Sequence, residues 1–227
     1  MTESAQSTRA ARRARRTRAW LSAYAGVAVA QVAGELFGVG WLSGPGQVVA
    51  MPVLASALVA SGRHRHRTGR WLLIGLGFSW LGDVLGFAIL IKIGFFLLAQ
   101  LSYAVAFWPF RRRIARHRWV VPIYVVVVAA LATLIGREAG PLVPAIITYS
   151  TALGLMAVLA TGVNRVAGLG GAIFVVSDAL IGLDTFVRTA RVPESDALIM
   201  MSYLSAQLLL LGGVLLLQPT ELGDAEP

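Results

Sequence analysis

Long apolar tracts separated by short polar segments run through the chain, over residues 20–42, 47–61, 71–87, 91–108, 119–136, 141–161, 168–187 and 197–217. Most approach the ~20 residues that an α-helix needs to cross the hydrocarbon core at 1.5 Å per residue. The pattern predicts an all-α integral membrane bundle. The second tract is short, which leaves seven or eight transmembrane helices open. Residues 20–217 form the membrane domain, flanked by a basic tail (1–19), expected to be disordered or to lie on anionic headgroups, and an acidic tail (218–227) too short for a domain.

Charge placement decides the count. If the N-terminus is cytoplasmic and all eight tracts span, the inner side carries six arginines in the tail, four at 63–70, five at 111–118, and Arg165. These make sixteen, against Lys92, Arg137, Arg188 and Arg191 outside. Removing the second span would scramble this asymmetry, so eight helices with both termini cytoplasmic is the expected topology. Acidic residues in the C-terminal tail contribute little to orientation. The basic N-terminus also resembles a signal-peptide n-region, but the apolar tract continues past Ala28-Val29-Ala30, so a retained first helix is expected.

Composition agrees with this reading. Mean hydropathy is +0.72 and only 14% of residues are charged, too few to cover a soluble domain of this length. The net charge of +9 flanks apolar spans rather than forming one face, which argues for membrane lipids as partners and against nucleic acid. There is no cysteine, which excludes disulfides, thiolate metal sites and cysteine nucleophiles. His64, His66 and His117 lie in Arg-rich loops, away from any span. No cofactor or metal is expected, since the acidic residues in the spans have neither histidine nor a third carboxyl beside them.

Glu35, Asp83, Asp178 and Asp184 fall inside the predicted spans, where an ionisable side chain costs roughly 2.5–3.5 kcal/mol at the centre. No Lys or Arg is expected deep enough to pair with them. Counted from the inner ends, Asp83 lies ~18 Å and Asp178 ~15 Å into parallel helices, at about one level near mid-bilayer. Gln100 and Tyr103 (i, i+3), Tyr149, and Tyr203 and Gln207 (i, i+4) gather at similar depth. Asp184 lies outward of Asp178 on a different face and is secondary; Glu35 is an edge residue. Two carboxyl groups in a low dielectric disfavour each other's ionisation, so one keeps its proton while the other accepts one, as acid/base hydrolysis requires. The alternative is a set of interhelical hydrogen bonds with no chemistry. Gly168-Leu169-Gly170-Gly171 lacks the Lys of a phosphate loop and fits close helix packing instead.

The same residues carry a resemblance. Phe78-Ser79-Trp80-Leu81-Gly82-Asp83 resembles the F-S-x-L-G-D segment of the YhhN-like lysoplasmalogenase family. The stretch from Gly171 through Ser177-Asp178 is similar to that family's G-A-x-x-F-x-x-S-D signature, Gln100 through Phe107 to its H-x-x-Y-x-x-x-F element, and Tyr203 through Gln207 to its Y-x-x-A-Q ending. Two positions depart. Gln100 stands where the family often has His, and cannot exchange protons near neutral pH. Met51, before Pro52, stands where the family often has Lys, so a headgroup contact from that residue would be missing. The resemblance implies a plasma-membrane hydrolase that cleaves the vinyl ether of lysoplasmalogens, a lyso-ether phospholipid substrate, to a fatty aldehyde and a glycerophospho-headgroup. Asp83 and Asp178 would then be catalytic, with Gln100, Tyr103, Tyr149, Ser177, Tyr203 and Gln207 around the substrate. Two other readings stand beside it: a proton-coupled lipid or small-molecule carrier, suggested also by a weak parallel repeat between spans 3–4 and 7–8, and a hydrolase of another lyso-lipid. Oligomeric state is not legible.

Overall fold

The computed structural model describes residues 3–117, 119–187 and 195–223. Arg118, Arg188 and Arg191, counted above to read topology, lie outside the described residues, as do residues 224–227 of the acidic tail. Among the described residues the chain is helical throughout and contains no strand. Eight long helices follow in order: α1 (Glu3–Leu36), α2 (Gly40–Ser61), α3 (Arg67–Leu85), α4 (Ile89–Phe107), α5 (Val120–Ala139), α6 (Val143–Val163), α7 (Arg165–Phe186) and α8 (Ser195–Leu216). A short α9 (Pro219–Gly223) follows, and tighter 3-10 turns link α2 to α3, α4 to α5 and α5 to α6.

Among the described residues, five segments are long and apolar enough to cross a membrane, one of which (Val120–Val163) covers both α5 and α6. α1 and α3 are the less apolar helices, the first because of its arginines, the second because Arg67, Arg70, Asp83 and four glycines dilute its leucines. Large apolar side chains such as Val125, Val126, Leu169, Val176 and Leu216 are exposed, as a lipid-facing surface requires. The chain is therefore a multi-pass membrane protein.

Three boundaries differ from expectation. The first apolar tract hides a turn: α1 ends at Leu36, Gly38 takes a positive φ of 66°, and the chain reverses into α2. Residues from Gly40 onward belong to α2, which is thereby 22 residues long rather than short. Glu35, in the last turn of α1, is the one charge beside that turn, and an apolar count runs across it. The basic tail, expected to be disordered or to lie on anionic headgroups, is the first part of α1 from Glu3; alanine and arginine are both strong helix formers. Finally, α3 stops at Leu85, so Asp83 lies in its last turn and not at mid-helix.

Seven helices close into a ring, each packed on the next in the order α1, α2, α3, α4, α6, α7, α8 and back to α1. Helix α5 stands outside the ring, packed on α6 and to a lesser extent on α7. The core inside the ring includes Tyr24, Leu54, Phe107, Met156 and Leu210, all fully buried. Glycines set the closest approaches. A Cβ at Gly170 would lie 2.9 Å from the Leu210 backbone nitrogen, and one at Gly171 would lie 2.9 Å from Ala157 Cα. The glycine cluster on α7 thus lets α6 and α8 approach it to backbone contact, as the sequence suggested. Asn164 caps α7, accepting from the Ala167 N–H at 3.0 Å and donating to the Gly213 carbonyl on α8 at 2.8 Å. The Arg-rich turns gather at one end of the bundle with α9, where Arg113 meets Glu221. The Gly38, Gly86 and Gly140 connections occupy the other end.

Candidate active site

Near the end opposite the arginines, a cavity of about 100 Å³ opens between α3, α4, α5, α6, α7 and α8. Its walls are apolar: Ile93, Phe96, Val128, Leu131, Ile135, Ile146, Leu153 and Val175 among others. Into this lining project Asp83 from the last turn of α3 and Asp178 from the middle of α7. The sequence placed the two carboxyls at one level, and they do share one cavity, but that cavity lies toward one end of the bundle.

Each carboxyl is held by a tyrosine from another helix. The Tyr203 hydroxyl on α8 donates to Asp83 Oδ2 at 2.9 Å. The Tyr149 hydroxyl on α6 donates to Asp178 Oδ2 at 2.5 Å. In both cases one carboxyl oxygen is engaged and its twin remains for the cavity. Tyr149 and Tyr203 also line the cavity. The Tyr203 ring is fixed by edge-to-face contacts with Phe96 and Phe174, each with centroids 5.7 Å apart. These pairings do not follow the repeat suggested by spans 3–4 and 7–8: one aspartate is served from α8, the other from α6.

A second polar cluster lies beside the cavity without lining it. Tyr103 donates to Gln207 Oε1 at 2.8 Å, Gln207 Nε2 donates to Ser79 Oγ at 3.0 Å, and Ser79, 3.2 Å from the Tyr103 hydroxyl, completes the circuit. With Tyr103 donating to the glutamine, Ser79 must be the donor to Tyr103. All three side chains are buried, and all their bonds are internal. Gly75 makes the ring fit: a Cβ there would lie 2.2 Å from Tyr103 Cε1, so only glycine lets the tyrosine lie flat on α3 and reach Ser79 one turn on.

The remaining candidates take different places. Gln100 is fully buried, and its amide makes no geometrically sound hydrogen bond, although it lies close enough to act on the Tyr149 hydroxyl. Ser177 donates to the Ile199 carbonyl at 3.2 Å and ties α7 to α8. Asp184 accepts from Ser195 at 3.3 Å across the α7–α8 connection and does not line the cavity. Met51 is buried in the core. Among the described residues no group of three or more metal-ligating side chains is present.

Sequence reasoning missed Lys92. It was counted with the outer loops, yet it lies in the first turn of α4, lines the cavity, and acts electrostatically on both Asp83 and Asp178. Its signal was present: a lone cation in the apolar run Ile89–Phe107. Ser79 and Phe96 were missed as well, since only packing shows that they touch the tyrosines.

A multi-pass helical membrane protein with two carboxyl groups in one apolar cavity of its helix bundle is the class that fold and site define. The YhhN family model matches residues 46–214, which include every residue of the cavity and of the Ser79–Tyr103–Gln207 ring, and the chain belongs to the YhhN family. No curated protein and no solved structure matches it.

Proposed function

We propose that the protein is a membrane hydrolase that cleaves the vinyl-ether bond of lysoplasmalogens, giving a fatty aldehyde and a glycerophospho-headgroup. The observation that carries this reading is the meeting of Asp83 and Asp178 in one apolar cavity, each oriented by a tyrosine. The lipid family suggested by the sequence motifs, and now by YhhN membership, supplies the substrate class.

The chemistry needs one acid and one base. The protonated carboxyl delivers its proton to the vinyl carbon remote from oxygen, leaving an oxocarbenium ion at the carbon bonded to oxygen. The ionised carboxylate stabilises that cation and takes a proton from the attacking water. The resulting hemiacetal collapses: its hydroxyl proton leaves, its C–O bond to glycerol breaks, and the glycerol oxygen is protonated. One water is consumed and both carboxyls return to their starting states. Glycosidases use the same pairing around an oxocarbenium-like state. The tyrosines fix the two carboxyls; the Ser79–Tyr103–Gln207 ring holds α8, which carries Tyr203, in register with α3 and α4, Ser177 ties α7 to α8, and Gln100 stands beside Tyr149. The apolar walls accept the alkenyl chain. We assign the protein to the cell membrane, with the Arg-rich end and both termini cytoplasmic.

The test is aldehyde release by purified protein from lysoplasmenyl-ethanolamine, with the saturated alkyl-ether analogue as control. Hydrolysis of the vinyl ether alone, with one deuterium on the aldehyde α-carbon in D2O, is expected. Release of the same headgroup from a lyso-ester and none from the vinyl ether would refute the assignment.

A further inference from the structure

A cation lining the same apolar cavity as two acids needs a reason of its own. Lys92 is the only basic side chain lining the cavity among the described residues. Its stem lies over Gly86, where an added Cβ would come within 3.1 Å of Lys92 Cγ, so the lysine is steered rather than free to leave for the lipid surface. Helix α4 descends from this end of the bundle. Phe96, one turn deeper on the same face, has its ring against Tyr203, the residue that holds Asp83. Lys92 therefore stands ~6 Å nearer the bundle end than the level of the Tyr203–Asp83 pair, from four residues at 1.5 Å each.

We propose that Lys92 is the seat of the substrate's phosphate group and selects single-chain phospholipids over neutral ether lipids. This rests on the hydrolase reading of the same cavity. In a lyso-ether phospholipid the ether oxygen and the phosphorus are joined through the three glycerol carbons, a distance comparable to one helical turn. With the vinyl ether at the carboxyls, the phosphate reaches the ammonium and the alkenyl chain lies along the apolar walls. The cavity is bordered by α4 and α5, which line it without packing appreciably on each other, α5 being held through α6. Between them a lipid chain can pass sideways from the bilayer while its headgroup stays at the end opposite the arginine-rich turns. Lys92 also balances the carboxylate while the cavity is vacant, and hands its charge to the phosphate when substrate arrives.

The experiment compares wild type, Lys92→Gln and Lys92→Arg on two substrates, a lysoplasmalogen and the 1-alkenylglycerol that lacks phosphate. Lys92→Gln is expected to raise KM for the phospholipid by ~10- to 100-fold, the span of a lost charge-assisted hydrogen bond. The preference for phospholipid over alkenylglycerol collapses with it, and Lys92→Arg restores most of it. A second measurement is independent of turnover: thermal stabilisation of the same proteins by the non-hydrolysable 1-alkyl lysophospholipid and by 1-alkylglycerol. Wild type should gain more from the phospholipid, and Lys92→Gln should lose that difference. If wild type releases no aldehyde but shows the phosphate-dependent stabilisation through Lys92, the hydrolase reading falls and the phosphate seat stands. If Lys92→Gln keeps wild-type phospholipid preference in both measurements, the phosphate seat is overturned.

Discussion

Replacing Tyr103 with phenylalanine removes one oxygen from a closed ring of buried hydrogen bonds, and the structure fixes what is left behind. Gln207 Oε1 loses the donor at 2.8 Å and has no water to replace it, the residue being 1% exposed. Ser79 loses its acceptor but still receives the bond from Gln207 Nε2, and its proton can turn to a carbonyl one turn back, as Ser102 does toward Leu98. One orphaned carbonyl is therefore the main loss. A buried group left unsatisfied costs ~1–3 kcal/mol, while interhelical bonds in membrane proteins average ~0.6 and reach ~1.7 kcal/mol. We expect Tyr103→Phe to destabilise the protein by about 1–2 kcal/mol. The assay is reversible unfolding in mixed micelles with rising SDS fraction, followed by helical circular dichroism. Combining Tyr103→Phe with Gln207→Leu should cost less than the sum of the two by ~0.5–1.5 kcal/mol, since each alone strands the other. Strict additivity, or a Tyr103→Phe protein as stable as wild type, would refute the ring.

Other outcomes follow from the same packing and site. Gly75→Ala drives a methyl to 2.2 Å from the Tyr103 ring and should lower the melting temperature markedly, whereas Gly77→Ala on the same helix meets nothing within 4 Å and should be neutral or stabilising; equal effects in a thermal melt would contradict the α3–α4 packing. Tyr149→Phe and Tyr203→Phe should each cut kcat for vinyl-ether cleavage by ~10- to 100-fold, the loss of one charge-assisted positioning bond, with a smaller effect on KM; full activity in either would remove that tyrosine from the mechanism. Glu221 is held below its usual carboxylate range, first by the Gln218 backbone N–H and then by Arg113. Its folded-state value being depressed, whatever stability it lends is complete above about pH 4.5 and fades as pH falls through the lower folded value. Because the pair with Arg113 is largely exposed, Glu221→Gln should shift the neutral-pH melting temperature by no more than about a degree, and a larger drop would mean that α9 is docked more firmly than this pair implies.

Most helix positions were legible because a bilayer allows little else: apolar runs of about 20 residues, bounded by arginine clusters, must be helices. The α1–α2 reversal was not, because Phe37-Gly38-Val39 is apolar, Glu35 beside it reads equally as the edge of one longer span, and only the backbone at Gly38 reveals the turn. Asp83 and Asp178 stood out in sequence through the cost of burying them, and that cost argument needs no structure. Their partners did not, since which tyrosine serves which aspartate depends on α8 reaching α3 across the ring and on which faces of the neighbouring α6 and α7 meet. Lys92 escaped for a different reason. A lysine at a helix end is read as an interfacial anchor, and only the inward turn of α4 over Gly86 puts it in the cavity.

The central claim is that the two aspartates act together on the vinyl ether, and the most direct measurement is aldehyde release by purified Asp83→Asn and Asp178→Asn proteins beside wild type, each shown to be folded by its melt. Asparagine keeps the size and the bond from tyrosine but can neither give nor take the proton. Loss of at least ~10³-fold activity in both variants, the usual contribution of a general acid or base being 10²–10⁴-fold, is the result the account predicts. Near-wild-type release by either folded variant would contradict it.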